Sequence, residues 1–231
     1  MKKIIVLIFL SFSTLGLSQN YDISLDQITR SGNVLIKRLT SYDTEVKGNP
    51  YLEKDFKSGK LIFKNGKQYD VFLRLDVSEQ KFEIKKNIQA EASAIEIDES
   101  VTVKIMDATY KLHSFSFGSL SKTIGILEEC LVLDKYGLYY FPQKKIEMPK
   151  KSGIPAPATG YSKPAKAEWK NNGVYLIFYN NKTYKLPTSH KKMVELNLFD
   201  KKEYKKYRKE NKLNLKNKES LIGLVTYFNS L

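Results

Sequence analysis

One cysteine, one tryptophan and two histidines are all that 231 residues offer to thiol, indole and imidazole chemistry. A lone Cys130 has no partner for an intramolecular disulfide, so stability has to come from a hydrophobic core rather than from covalent staples. It sits in the apolar stretch ILEECLVL, where a buried structural thiol is expected. His113 and His190 are far apart, no His-Glu-x-x-His run occurs and no cysteines cluster, so no metal centre is expected and each histidine reads as a surface or partly buried side chain. No glycine-rich phosphate loop is present, and no cofactor is expected. Beyond the first eighteen residues no segment is apolar enough for a bilayer, which predicts no transmembrane span.

What the chain has in excess is positive charge. It carries +14 overall, or +12 once Lys2 and Lys3 leave with an N-terminal leader. MKKIIVLIFLSFSTLGLSQN runs from two lysines through a short apolar core to small residues, the order of a signal peptide spanning residues 1–18, with cleavage after Ser18. No cysteine follows the apolar run, which disfavours a lipid anchor. The expected product is exported, periplasmic or extracellular, and soluble. Export redirects the reading of the charge. Lysines that would neutralise nucleic-acid phosphates in a cytoplasmic protein instead face lipid headgroups, lipopolysaccharide, acidic polysaccharide or an envelope protein, and no nucleic-acid partner is expected.

The clearest periodicity lies in residues 60–86. Tyr69, Val71, Leu73, Leu75 and Val77 alternate with polar or partly exposed positions, a strand with one buried face. Asn65-Gly66 before it and Ser78 to Gln80 after it are turn signals, and Phe82 with Ile84 give a further strand. Ile95 with Ile97, Val101 to Ile105, Tyr110 with Leu112, Ile124 to Leu133 and Leu138 to Phe141 continue the pattern. Residues 19–148 therefore predict an antiparallel β-meander domain, a sandwich or an open barrel. Residues 149–164, PKKSGIPAPATGYSKP, predict a linker or long loop. Residues 165–231 predict short strands, which complete the first sheet or start another, and then a helical C-terminal unit, for an α+β fold. Asp200 with Glu203 has the form of a capping box. Leu221, Leu224, Val225 and Phe228 follow a helical stripe after Asn217 as cap.

The stretch GNPYLEKDFKSGKLIFKNGKQYDVFLRLD, taken with the terminal YKKYRKENKLNLKNKESLIGLVTYFNSL, resembles a family of uncharacterised exported bacterial proteins. Their common features are a signal peptide, a Pro-Tyr-Leu…Phe…Gly run leading into a β-meander, and a lysine-rich helical tail ending near Tyr-x-Asn. The resemblance implies architecture and export, and no activity. This chain departs from the family after Leu73-Arg74, where Leu75-Asp76 stands in place of an aromatic-Asn pair.

Candidate chemistry is sparse. Ser119-Leu120-Ser121-Lys122 matches the S-x-x-K of penicillin-interacting serine enzymes, which needs the serine at a helix start and the lysine one turn on. Glu128 and Glu129 alternate across a strand, the wrong geometry for sharing a proton. The basic tail supplies the binding candidates Lys205, Lys206, Arg208, Lys209 and Lys212, with Tyr204 and Tyr207 on a common helical face. A non-enzymatic exported binding protein with a basic docking tail is therefore the expected function, and a serine hydrolase using Ser119 and Lys122 is the alternative.

Overall fold

The structure is a computed structural model that describes residues 24–32, 34–43, 45–117, 122–149 and 166–231. The expected leader, Ser119 and all of the proline-rich stretch except Pro149 lie outside the described residues. The fold is α+β, a long antiparallel sheet followed by short helices. Helix α1 (Leu25–Ser31) leads into β1 (Val34–Lys37), β2 (Lys57–Ile62), β3 (Gln68–Asp76), β4 (Lys81–Lys85), β5 (Ser93–Ile97), β6 (Thr102–Ile105), β7 (Ala108–Phe115), β8 (Thr123–Val132) and β9 (Tyr136–Phe141). Then come β10 (Lys144–Glu147), β11 (Glu168–Asn171), β12 (Val174–Tyr179), β13 (Lys182–Lys185), α2 (His190–Glu195), α3 (Lys201–Asn211) and α4 (Lys218–Asn229). Eleven strands form one open sheet in the order β1-β5-β4-β3-β2-β6-β7-β8-β9-β12-β13, and β10 pairs with β11 separately. The late strands β12 and β13 thus complete the first sheet.

The meander folds back once, and that return forces the sheet to roll. β5 and β6 are consecutive in the chain but four strand steps apart in the sheet, about 19 Å if it were flat. Their connection is a turn closed by Val101 N–H donating to the Asp98 carbonyl at 3.2 Å, and such a turn spans only about 7 Å. β2 to β5 must therefore curl until β5 approaches β6. The concave face is the one that the period of two marks out. Leu73, Leu75, Phe82, Ile95, Val103 and Ile126 form a single buried cluster, with Ile28 of α1 packed into it. Gln80, at the β3–β4 turn with φ of 52°, ties the roll together. Its Nε2 donates to the Val77 and Pro142 carbonyls at 2.9 and 3.2 Å, and its Oε1 accepts from Ile126 N–H at 2.8 Å.

The other half rolls about the opposite face. Beyond β7 the chain pairs Phe117 with Thr183 of β13, although β8, β9 and β12 lie between them in the sheet. Phe115, Leu127, Tyr139, Phe141 and Leu176 fill the interior so made. The outer face of these strands is covered by the C-terminal helices, whose Leu221, Leu224, Val225 and Phe228 pack with Tyr136, Leu138 and Ile177. All four stripe residues of α4 are buried, as their spacing predicts.

Three local details differ from sequence expectation. Helix α1 was not expected, yet Ser24 and Gln27 form a reciprocal capping box that sets its start. The Asn65-Gly66 turn places only Gly66 at positive φ, with Gly66 N–H donating to the Phe63 carbonyl. It is a type I turn closed by a bulge rather than a two-residue turn. Asp200 caps α3 by accepting from Lys202 N–H and Glu203 N–H at 2.9 Å, but Glu203 turns away to accept from Tyr227 Oη at 2.6 Å, so the capping box is half made.

A candidate cationic docking face

Helix α3 is held from one side only. Tyr204 is 2% exposed, and its hydroxyl shares a 2.7 Å hydrogen bond with His190 Nδ1 at the start of α2. Burial pushes the Tyr204 phenol up to about 12 and moves His190 below its ordinary value, with Arg208 adding to the effect on His190. Tyr207 lies against Tyr227 with ring centroids 4.9 Å apart. This close approach needs the bare Cα of Gly223, where a Cβ would meet Tyr207 Oη at 2.7 Å. After α3 the chain turns through Lys212 in the left-handed region, and Leu213 and Leu215 drop into the helical core. No glycine marks this helix end in the sequence.

With its tyrosines turned inward, α3 has no choice but to present its cations to solvent. Lys205, Lys206, Arg208, Lys209 and Lys212 are all exposed, and among the described residues none is in an ion pair. The structure brings all five expected binding residues together on one helix and its cap. Residues 201–212 hold seven cations and two carboxylates, of which Glu203 is engaged by Tyr227. Lys201, Lys205 and Lys209 follow one another at i, i+4, as do Lys202 and Lys206. Such like-charge pairs cost an isolated helix a few tenths of a kcal/mol each, a repulsion that a bound polyanion would relieve.

The rest of the surface is different. Residues 24–117 contain 15 cations and 14 carboxylates, whereas residues 182–218 contain 13 cations and 4 carboxylates. Residues 118–181 hold 9 cations and 5 carboxylates, so the largest share of the excess charge lies in the C-terminal unit.

The other sequence candidates are placed as follows. Lys122 stands immediately before β8 in non-helical chain, and Ser119 lies outside the described residues. Glu128 and Glu129 do lie on opposite faces of β8. Glu128 accepts from Lys218 of α4, while Glu129 lies 3.1 Å from Lys111 Nζ and 3.4 Å from His113 Nε2. The His113 approach falls outside hydrogen-bond geometry and leaves that buried nitrogen without a hydrogen-bond partner. Burial lowers the His113 pKa, Glu129 opposing and Lys111 assisting. Cys130 is partly rather than fully buried, packed beside the helical core, and burial followed by the Glu128 charge pushes its thiol up to about 12.

Sequence reasoning missed what the Pro-Tyr-Leu run does. Arg74 donates from Nε to Glu83 Oε2 at 2.7 Å and from Nη1 to the Lys54 carbonyl at 2.9 Å, and its guanidinium lies 3.6 Å over Tyr51 and 4.4 Å over Phe56. Tyr51 Oη donates to Glu83 Oε1 at 3.1 Å. Asp76, at the departure from the family pattern, is fully buried and accepts from Tyr42 Oη at 2.5 Å and from Ser78 and Glu79 N–H. The Tyr42, Tyr51, Phe56 and Lys54 contacts hold the strap between β1 and β2 against the sheet, and the Ser78 and Glu79 bonds close the β3–β4 turn, so this cluster is a structural clamp. Alternating sequence signals the strand but not what covers its outer face.

No protein-family model, characterised protein or solved structure matches the chain. Among the described residues no three His, Cys, Asp or Glu side chains are grouped to hold a metal ion, and no helix is long and apolar enough to cross a membrane.

Proposed function

We propose that this chain is an exported, non-enzymatic binding protein of the bacterial envelope that docks on an anionic partner through the cationic face of α3. The observation that carries the reading is the concentration of exposed, unpaired cations on a helix whose opposite side is firmly anchored. Cations carried on an already folded and anchored helix meet a polyanion without the cost of ordering the backbone that bears them. Lipid headgroups, lipopolysaccharide and acidic polysaccharide all present the required charge density. The signal-peptide pattern of residues 1–18 supports export.

The test is binding of the folded protein to vesicles of anionic and of zwitterionic lipid, and to lipopolysaccharide, across a salt series. Retention on at least one anionic surface at low salt, lost as the Debye length shrinks from about 10 Å at 0.1 M to about 3 Å at 1 M, is the expected result. Changing Lys205, Lys206, Arg208 and Lys209 together to glutamate should abolish that retention while leaving the fold intact. Retention unchanged in this variant would sink the docking reading.

A further inference from the structure

A concavity lies away from α3, where the end of β7 meets the β8–β9 and β12–β13 hairpins. Its volume is about 680 Å³, within the range of about 300–1,000 Å³ usual for small-molecule sites. Three lysines border it from three separate connections: Lys122 before β8, Lys135 between β8 and β9, and Lys182 at the start of β13. All three are exposed and in no ion pair among the described residues, and Asp134 is the one carboxylate on the lining. The aromatic wall is Phe178, half-buried and fixed by the Tyr139 ring at a centroid distance of 4.4 Å. Asn180 and Asn181, both at positive φ in the tight β12–β13 turn, supply amide groups at the rim.

We propose that this cavity is a binding site for a carboxylated sugar, a hexuronate unit of an acidic glycan. A pyranose ring has an apolar C–H face that lies on an aromatic wall, hydroxyls that need planar amide and hydroxyl partners, and, in a uronate, one carboxylate that the lysines neutralise. A purely apolar ligand would leave the ammonium and amide groups unanswered. A nucleotide or free phosphate is a poorer match, because among the described residues no helix N-terminus and no glycine-rich backbone nest faces the cavity. The site stands on its own geometry and does not depend on the α3 reading.

Calorimetric titration of the folded protein with trigalacturonate and with galactotriose, its neutral counterpart, tests the assignment. The uronate is expected to bind in the submillimolar range and the neutral sugar about tenfold or more weaker, the equivalent of one charge-assisted contact. The triple change Lys122→Gln, Lys135→Gln and Lys182→Gln, at exposed positions that do not support the core, should weaken uronate binding about tenfold or more with an unchanged melting temperature. The α3 glutamate variant should bind the trisaccharide as wild type does. Absence of heat with either sugar at millimolar concentration overturns the proposal. So does undiminished binding in the triple lysine variant, including the case where binding is lost only in the α3 variant, which would assign the uronate to the helix instead.

Discussion

The first roll of the sheet and the C-terminal helical unit use charge in opposite ways. In the first roll cations and carboxylates meet across neighbouring strands: Lys60 with Asp70 at 2.7 Å, Lys37 with Glu96 at 3.4 Å and Arg74 with Glu83 at 2.6 Å. Lys60 and Asp70 are direct partners in the β2–β3 register, as are Arg74 and Glu83 in β3–β4, while Lys37, opposite Ala94, reaches diagonally to Glu96 across β1–β5. These pairs reinforce register, because a slip of one residue would set each charge against the wrong neighbour and turn the apolar side outward. On α3 the cations oppose nothing. Charge that holds strands together is consumed by the fold, and charge that the fold leaves unspent is available to a partner.

The largest expected contrast comes from removing one cation from each region. Arg74→Ala leaves Glu83 buried, with a side chain only 1% exposed, beside Tyr51 alone. A loss of about 3–5 kcal/mol in chemical denaturation is expected, whereas Lys205→Gln should lie within about 0.5 kcal/mol of wild type. Similar small effects at both sites would dissolve the distinction. A smaller effect separates the regions by pH. His113 has its pKa lowered in the folded state by burial, opposed by Glu129 and assisted by Lys111, and His190 shifts the same way. The unfolded chain therefore binds more protons below about pH 6.5, so stability is complete above that pH and declines as pH falls through it, by up to about 1.4 kcal/mol per pH unit for the largely buried His113 and by less for His190, whose charge water screens. His113→Asn should flatten that slope, and a slope unchanged in the variant would place its source elsewhere. The smallest effect is kinetic. With its thiol pushed up to about 12, Cys130 should resist thiol-disulfide reagents at neutral pH until the protein unfolds. Rapid labelling would mean that the helical unit lifts off β8 while the first roll stays folded.

The sequence was most legible where a single face decides the pattern. The alternation from Tyr69 to Val77 and the stripe from Leu221 to Phe228 both describe elements with one buried side. The C-terminal cations were legible because exposed charge at helical spacing needs no tertiary information. The order of strands was not legible, because the return of β6 to β2 is set by sheet curvature, and periodicity is blind to curvature. Nor was the irregularity in β8. There the ladder shifts between Glu129 and Leu131, so Cys130 and Leu131, neighbours in the chain, both join the helical core. The cavity escaped for a related reason: Lys122, Lys135, Phe178 and Lys182 are far apart in the chain and are brought together by the β9–β12 and β12–β13 ladders and the pairing of Phe117 with Thr183.

Strand β8 itself carries a last consequence. Ile126 and Leu127 are adjacent and both almost completely buried, one in the first roll and the other in the second. A strand in that position has no wet face, so the water that enters when either interior opens is admitted against a wall of the other. The two rolls share a wall there, and unfolding is expected as one cooperative transition rather than as that of two modules joined in series.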